Sequence, residues 1–145
     1  MKKMHIDKKK ILIILIVLFG IYNAIWSIII NDIYSPVQDF LDGKEYITDE
    51  EYYSYSLSKP YYLQYTGNLA VTDKDGNYVL LIWPVVFGED EYGVLINGDK
   101  ETYSVYVDKF MKAKDPREQH IIDENKAQVE KLFEKANKFW DINKE

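Results

Sequence analysis

The stretch that decides the fold is residues 11–30, ILIILIVLFGIYNAIWSIII, which contains no charged residue. Twenty helical residues at 1.5 Å each span about 30 Å, the thickness of the hydrocarbon core of a bilayer. A helix that is apolar on all sides needs cover on all sides, and the rest of this 145-residue chain is too short to supply it. The run therefore predicts a single transmembrane helix.

The charges on either side of the run predict its orientation. Residues 1–10 contain five Lys and one Asp, whereas the first charge after the run is Asp32 and the first Lys is Lys44. Positive residues favour the cytoplasmic side of a membrane segment. We therefore expect a basic cytoplasmic tail over residues 1–10 and an extracytoplasmic C-terminal part, in a single-pass protein of the cell membrane.

A cleaved signal peptide is the alternative interpretation of the same run. Signal peptidase sites have small residues at the cut and three residues before it. For a cut after Ala24, the residue at position −3 would be Tyr22, and for a cut after Ser27 it would be Ile25. Neither is small, so the sequence favours an uncleaved signal anchor.

Charge and cysteine content exclude several classes of protein. Residues 1–10 are net +4 while the whole chain is −6, so the remainder is net −10. Such an acidic domain is repelled by the phosphates of nucleic acids, which we exclude as partners. The chain has no Cys, which excludes disulfides and thiol catalysis.

Residues 31–60 are expected to form a juxtamembrane stalk with short helices. Ser35-Pro36 resembles a helix N-cap followed by Pro at the first helical position, and Gly43 is suited to end that helix. The stretch Thr48-Asp49-Glu50-Glu51 resembles a capping box, which predicts a second helix through about Ser56.

Residues 61–142 predict an α+β extracytoplasmic domain. Apolar and aromatic runs bounded by turn residues predict strands over 61–66, 69–72, 78–86, 94–96 and 102–107. The run 78–86 is so apolar that we expect a central strand buried on both sides, with Pro84 at a bulge. The overall expectation is an N-terminal transmembrane helix plus an antiparallel sheet packed against a C-terminal amphipathic helix.

The C-terminal helix is predicted to begin at Asp115-Pro116, an N-cap followed by Pro. One apolar stripe is predicted to pack on the sheet: Ile122, Val129, Leu132, Phe133, Ala136, Phe139 and Trp140. The lysines of this helix, Lys135 among them, are expected elsewhere around it.

No pattern predicts catalytic, cofactor-binding or metal-binding residues. His120 is interpreted as an exposed helix residue, since no nucleophile motif accompanies it. The stretch 73–77, DKDGN, resembles the start of a calcium loop, but the twelfth position, which should be Glu, is Pro84. We interpret 73–77 as a hairpin turn, Glu89-Asp90-Glu91 as a solvated cluster, and the chain as a non-enzyme without a cofactor.

Two groups of residues are candidates for contact with partners. Within the membrane run, small and polar side chains share one helical face suited to packing against another helix; they are Gly20, Asn23, Ala24 and Ser27. A tyrosine-rich stretch forms a candidate aromatic contact surface: Tyr52, Tyr53, Tyr55, Tyr61 and Tyr62. These tyrosines are suited to a protein partner, to stacking on glycans, or to the core of a small sheet.

Three functions follow as hypotheses. The leading one is a membrane-anchored extracytoplasmic binding or accessory protein of the cell envelope, with membrane lipid and another envelope or membrane protein as partners. The second is a structural subunit of a membrane complex, held through its transmembrane helix. The third is a small carboxylate-based cell-wall hydrolase, since acids are plentiful.

Overall fold

A computed structural model describes residues 7–143. Most of the predicted basic tail, residues 1–6, lies outside the described residues. The first helix, α1, runs from Lys8 to Phe40, and the side chain of Asp7 caps it by accepting a hydrogen bond from the Lys9 amide at 3.0 Å. By length and composition, this helix is long and apolar enough to cross a membrane. A signal sequence near an N-terminus would meet the same two criteria.

Six strands follow α1, and two helices close the described chain. The strands are β1 (Tyr46–Thr48), β2 (Ser54–Ser58), β3 (Asn68–Thr72), β4 (Tyr78–Trp83), β5 (Glu91–Asn97) and β6 (Thr102–Val107). A single 3₁₀ turn, Pro116–Glu118, leads into α2 (Gln119–Glu124) and α3 (Lys126–Ala136). The α+β class is confirmed, as a long N-terminal apolar helix and an antiparallel sheet packed with C-terminal helices.

The sheet is an antiparallel meander in which the strand order follows the chain from β1 to β6. Because strand side chains alternate between faces, the register aligns rows of residues across the sheet. The central row of the covered face is at most 1% exposed and runs through five strands: Tyr55, Val71, Leu80, Val94 and Val105. This row is the middle of the core, and α3 packs across it on β3 and β4.

The start of the C-terminal helical region is confirmed at Asp115, whose carboxylate accepts from the Arg117 amide at 3.0 Å. The region is not one helix, however, because it breaks at Asn125 between α2 and α3. The Asn125 amide nitrogen donates to the Ile121 carbonyl at 2.8 Å, and its oxygen accepts from the Tyr78 hydroxyl at 2.9 Å. Asn125 thus satisfies the backbone at the break and joins it to β4.

The predicted stripe is buried except for Trp140, which is partly exposed. The expectation for Lys135 is wrong, since its side chain is 1% exposed and lies among the buried residues of α3.

The stalk interpretation of the chain after residue 30 is wrong where it predicts a helix starting at Ser35. Ser35 and Pro36 lie inside α1, which continues without interruption from the apolar run. Proline costs a helix one hydrogen bond and a steric clash. The cost is offset because Tyr34, Val37 and Leu41 are fully buried in the domain, so packing extends the helix past its local breaker.

Two further local predictions are wrong. Residues 48–56 form no helix, because β1 ends at Thr48 and β2 starts at Ser54. The Asp49 carboxylate does cap backbone amides, but in a tight β1–β2 turn, where it accepts from Glu51 and Tyr53 at 2.9 Å each.

Residues 61–66, predicted as a strand, form a turn and irregular chain before β3. Here Leu63 takes a left-handed backbone conformation, with φ of 63°. The aromatic composition that suggested a strand serves contacts with α1 instead.

Candidate functional site

The face of the sheet opposite the core is the first candidate site. Its two central rows are, in strand order from β2 to β6, Ser54, Thr72, Val79, Leu95 and Ser104, and Ser56, Ala70, Leu81, Gly93 and Tyr106. Most of these residues are partly or fully exposed, whereas their neighbours on the covered face are buried. We call this surface the open face.

The centre of the open face is apolar and its sides are polar. Val79, Leu81 and Leu95 are partly exposed on β4 and β5, and serine or threonine flanks them on β2, β3 and β6. An antiparallel sheet with one solvated face normally alternates apolar and polar residues. The chain departs from that rule on its two central strands.

Trp83 adds a flat aromatic surface to the open face. A Cβ placed on Gly93 would lie only 2.9 Å from the Trp83 ring, so the indole lies directly over the glycine backbone. The Trp83 ring also packs against Tyr106, with centroids 5.8 Å apart and an interplanar angle of 32°. A side chain at position 93 would displace the Trp83 ring, so glycine allows this packing.

The prediction of a strand buried on both sides is wrong for β4 in this chain. Leu80 and Ile82 are fully buried, but Val79, Leu81 and Trp83 on the other side are only partly covered. The strand ends at Trp83, and Pro84 follows it instead of forming a bulge within it. The sequence signal for this surface is that β4 is apolar on both sides. In the structure only one of these two sides is covered.

The structure separates the five predicted contact tyrosines. Tyr55 is in the core at 1% exposure, and Tyr53 packs against the core partly buried. Tyr52 is exposed at the β1–β2 turn, while Tyr61 and Tyr62 are exposed at the opposite end of the sheet. These residues do not form one surface.

Tyr62 belongs to a loop that lies against α1. We call residues 61–65 the tyrosine loop. The Tyr62 hydroxyl donates a hydrogen bond to the Asn23 side-chain oxygen, and the Trp26 indole nitrogen donates to the Gln64 carbonyl at 2.7 Å. The rings of Trp26 and Tyr62 meet edge to face at 5.5 Å. The tyrosine loop therefore covers one side of α1 within the apolar run.

The predicted membrane-helix face is divided by this contact. Asn23 is engaged within the chain, by Tyr62 and by its own donation to the Phe19 carbonyl at 2.7 Å. Ala24 and Ser27 are exposed, and a Cβ at Gly20 would meet nothing within 4 Å. The groove at Gly20 and Ala24 is thus open to another helix.

A buried lysine forms a second cluster, which the sequence analysis did not find. The Lys135 ammonium lies 2.8 Å from Asp49 Oδ2, 2.8 Å from Glu51 Oε1 and 4.7 Å from the centre of the Tyr53 ring. The Tyr55 hydroxyl donates to Asp49 Oδ2 at 2.9 Å. These contacts fasten the β1–β2 turn to α3.

The electrostatics of the cluster hold each group in its ordinary charge state. Partial burial raises the pKa of Asp49, but hydrogen bonds from Lys135, the Tyr53 amide and Tyr55 outweigh it and bring the pKa to about 2. Burial lowers the pKa of Lys135, but Asp49 and Glu51 outweigh it and raise the pKa above its usual range. Burial and the neighbouring Asp49 raise the pKa of the Tyr55 hydroxyl. A charged, internally satisfied cluster of this kind is suited to structural support rather than proton transfer.

Two shallow grooves lie elsewhere on the domain. One, of about 420 Å³, lies along β1 and β2 and includes Glu45 and Lys59; the other, of about 220 Å³, lies beside α2 and includes Asp123. Among the described residues that line each groove there is one carboxylate, whereas glycoside hydrolysis uses a pair.

The other residues singled out in the sequence occupy ordinary positions. Asp73–Asn77 forms the turn between β3 and β4, where Asp73 accepts a hydrogen bond from the Tyr78 amide at 3.0 Å. His120 is exposed, with Nδ1 2.9 Å from the Arg117 carbonyl. Within residues 7–143 no group of three or more His, Cys, Asp or Glu is placed to hold a metal ion.

Comparisons with known proteins supply no relative: no family model, no curated protein and no solved structure matches this chain.

Proposed function

We propose that this chain is a membrane-anchored extracytoplasmic binding protein of the cell envelope, and that the open face of its sheet binds a protein partner. The observation that carries the proposal is the apolar centre of the open face, formed by Val79, Leu81, Trp83 and Leu95. Contiguous apolar surface with a polar rim is typical of protein interaction sites.

The anchor is supported by the apolar run and by its continuity with the domain. α1 contains 33 residues, and it carries Ile30, Tyr34 and Val37 into buried positions against the domain. A signal-peptidase cut after Ala24 or Ser27 would fall inside this helix. The lysines before the run favour a cytoplasmic N-terminus and an extracytoplasmic sheet.

A binding role is favoured over hydrolysis by the chemistry of the acids. Asp49 and Glu51 are neutralised by Lys135, and the two shallow grooves each offer one carboxylate among their described residues. The Trp83 and Tyr106 pair is suited to an interface, because aromatic side chains contribute large contact area at small entropic cost.

A structural subunit held through α1 is the second candidate function. The observation that favours it is the open groove at Gly20 and Ala24, which allows close approach of a neighbouring helix. The two roles differ in the surface that binds, so one experiment separates them.

The test is site-specific photocrosslinking of the full chain in membranes of the native host. A photoreactive amino acid replaces Leu95 on the open face, Ala24 on α1, or Gln128, which is exposed on α3 and serves as the control. We expect a discrete adduct with a protease-sensitive partner from position 95 and none from position 128. Leu81→Glu should abolish that adduct, because it places a charge beside Leu95.

Two results would contradict the binding role of the open face. One is the same set of adducts from positions 95 and 128, which would indicate random collision. The other is a discrete adduct from position 24 with none from position 95, which would favour the structural subunit.

A further inference from the structure

The tyrosine loop contacts α1 several residues before the end of the apolar run. Tyr62 contacts Asn23, seven residues before the end of the apolar run at Ile30, and Gln64 contacts Trp26, four residues before it. At 1.5 Å per residue these contacts lie about 10 Å and about 6 Å below Ile30. Elements that lie in a membrane interface are buried about 5–10 Å below its surface.

The opposite side of α1 at the same depth is exposed and apolar. Ile21, Ile25 and Ile28 are 52%, 50% and 68% exposed and share one helical side by their spacing. Trp26 is partly covered by the loop. When the exposed isoleucine side of α1 lies in lipid, the tyrosine loop on the opposite side of the helix lies at the same depth in the membrane.

The contacts and composition of the tyrosine loop suit a position at this depth in the membrane. Non-helical backbone within a membrane needs partners for its polar groups. The Gln64 carbonyl is bonded to the Trp26 indole, and the Gln64 amide donates to the Tyr61 carbonyl at 2.9 Å. The outward surface is aromatic, since Tyr61 and Tyr62 are 81% and 61% exposed, and tyrosine is enriched at membrane interfaces.

The other loops at this end of the sheet have the same character. Phe87 follows β4 and is 89% exposed, and Phe110 follows β6 and is 72% exposed. In this meander both loops lie at the end of the sheet that carries the tyrosine loop. The loops 59–67, 84–90 and 108–114 contain three acids, Glu89, Asp90 and Asp108, and four lysines that suit anionic head groups, so they are net 4 − 3 = +1; the lysines are Lys59, Lys109, Lys112 and Lys114.

The opposite end of the sheet is strongly acidic. Its three turns, 49–53, 73–77 and 98–101, contain seven acids and two lysines. An acidic end turned away from an anionic membrane surface and an aromatic, lysine-bearing end turned toward it give the domain one favoured orientation.

We propose that the tyrosine loop is inserted in the lipid interface of the outer leaflet, with Phe87 and Phe110 as neighbouring contacts. The domain then sits directly on the bilayer, against its own helix, instead of hanging on a stalk. This inference rests on the proposed membrane anchor and adds a second lipid-binding element to it. The partner is the interfacial region of a phospholipid bilayer.

The test uses the absence of native cysteine to place single spin labels. Full-length variants Tyr61→Cys, Phe87→Cys and Phe110→Cys are labelled and reconstituted in vesicles of phosphatidylcholine and phosphatidylglycerol at 3:1. Asp75→Cys, in the exposed turn between β3 and β4, is the matched control at the far end. Leu15→Cys, in the middle of the run, reports the anchor independently.

Depth is measured from the ratio of relaxation enhancement by oxygen, which enters lipid, and by a nickel chelate, which stays in water. We expect the Tyr61 label to favour oxygen by at least about tenfold over the Asp75 label, with Phe87 and Phe110 between them. A Leu15 label in lipid with a Tyr61 label as wet as Asp75 would overturn the inserted loop and leave the anchor intact. A Leu15 label in water would overturn both.

Discussion

The ammonium of Lys135 on α3 lies 2.8 Å from the carboxylate of Asp49 in the β1–β2 turn, across 86 residues of chain. The Lys135 side chain is 1% exposed, and its ammonium also lies 2.8 Å from Glu51 Oε1. It joins the first hairpin of the sheet to the helix that covers the core.

Lys135→Met should lower the free energy of unfolding by about 2 kcal/mol, between the small value of an exposed pair and the larger one of a fully buried pair. Asp49 would keep its capping bonds but lose its counter-charge. Urea denaturation of the detergent-solubilised chain measures the change. Lys131→Met, which removes partly exposed pairs to Glu51 and Glu134, is the control and should cost much less. Equal losses in the two variants would show that burial of Lys135 adds nothing.

The same cluster should make stability depend on pH in the acid range. The pKa of Asp49 is about 2 in the folded chain against an ordinary value of 3.8, so the folded state favours the carboxylate. Its contribution is complete above about pH 4 and is lost as the pH falls toward 2. Asp49→Asn should flatten this part of the profile, as measured by melting temperature between pH 2 and pH 5. A profile as steep as the parent's would assign the acid sensitivity to other groups, such as Asp115, whose pKa Arg117 holds at about 2.

The same substitution at two adjacent leucines of β4 should cost very different amounts of stability. Leu80 is fully buried, so Leu80→Asn should cost about 3 kcal/mol or more through lost burial and an unsatisfied amide. Leu81 is on the open face, and Leu81→Asn should cost about 1 kcal/mol or less. Thermal melting followed by circular dichroism compares the two. Similar large losses would indicate that the open face is covered in the folded protein.

The proposed orientation in the membrane can be tested with single cysteines, because the chain has no native cysteine. Asp99→Cys lies in the β5–β6 turn and Lys8→Cys lies at the start of α1. A membrane-impermeant maleimide added to intact protoplasts should label position 99 and leave position 8 unlabelled until the membrane is permeabilised. The five lysines before the run are the physical reason. Labelling of position 8 alone would reverse the proposed topology.

Gly20→Leu should weaken association of residues 11–30 in a membrane-helix association assay, because leucine fills the groove that allows close approach. Leu15→Ile is the matched control and should leave association unchanged. In the full chain, Asn23→Leu should have a smaller effect than in the isolated segment, since Tyr62 already engages Asn23 there. If the parent segment does not associate at all, self-association through this face is refuted.

Local sequence patterns predicted those parts of the fold that local forces determine. Strand β6 follows the alternation of residues 102–107, and Asp115 caps the turn before α2 as its side chain suggests. The turn at 73–77 also has the conformation that its residues favour, with Gly76 at a φ of 73°.

The failures occurred where distant contacts outweigh local preference. Pro36 is a helix breaker, but burial of Tyr34 and Val37 keeps α1 continuous through it. Asp49 is a good helix cap, but Lys135 and Tyr55 hold it in a hairpin turn. No local pattern contains information about a contact 86 residues away, so neither the buried lysine nor the turn was predictable.

The open face lies between these cases. The apolar run 78–86 correctly predicts a strand, but the prediction that this strand is buried on both sides is wrong, because α3 covers only one side of β4. The sequence of the tyrosine loop likewise shows an excess of tyrosine, but it predicts a strand. The contacts of this loop with Asn23 and Trp26 could not be predicted, because they join residues 39 and 38 positions apart.

The continuity of α1 also has a mechanical consequence. A helix without a break between Lys8 and Phe40 is a stiff rod, and its last turns are clamped in the core through Tyr34, Val37 and Leu41. In the proposed placement, a change in tilt or axial rotation on the membrane side is transmitted to the sheet as a movement of the whole domain. The position of the open face above the membrane would then depend on how α1 packs within the membrane.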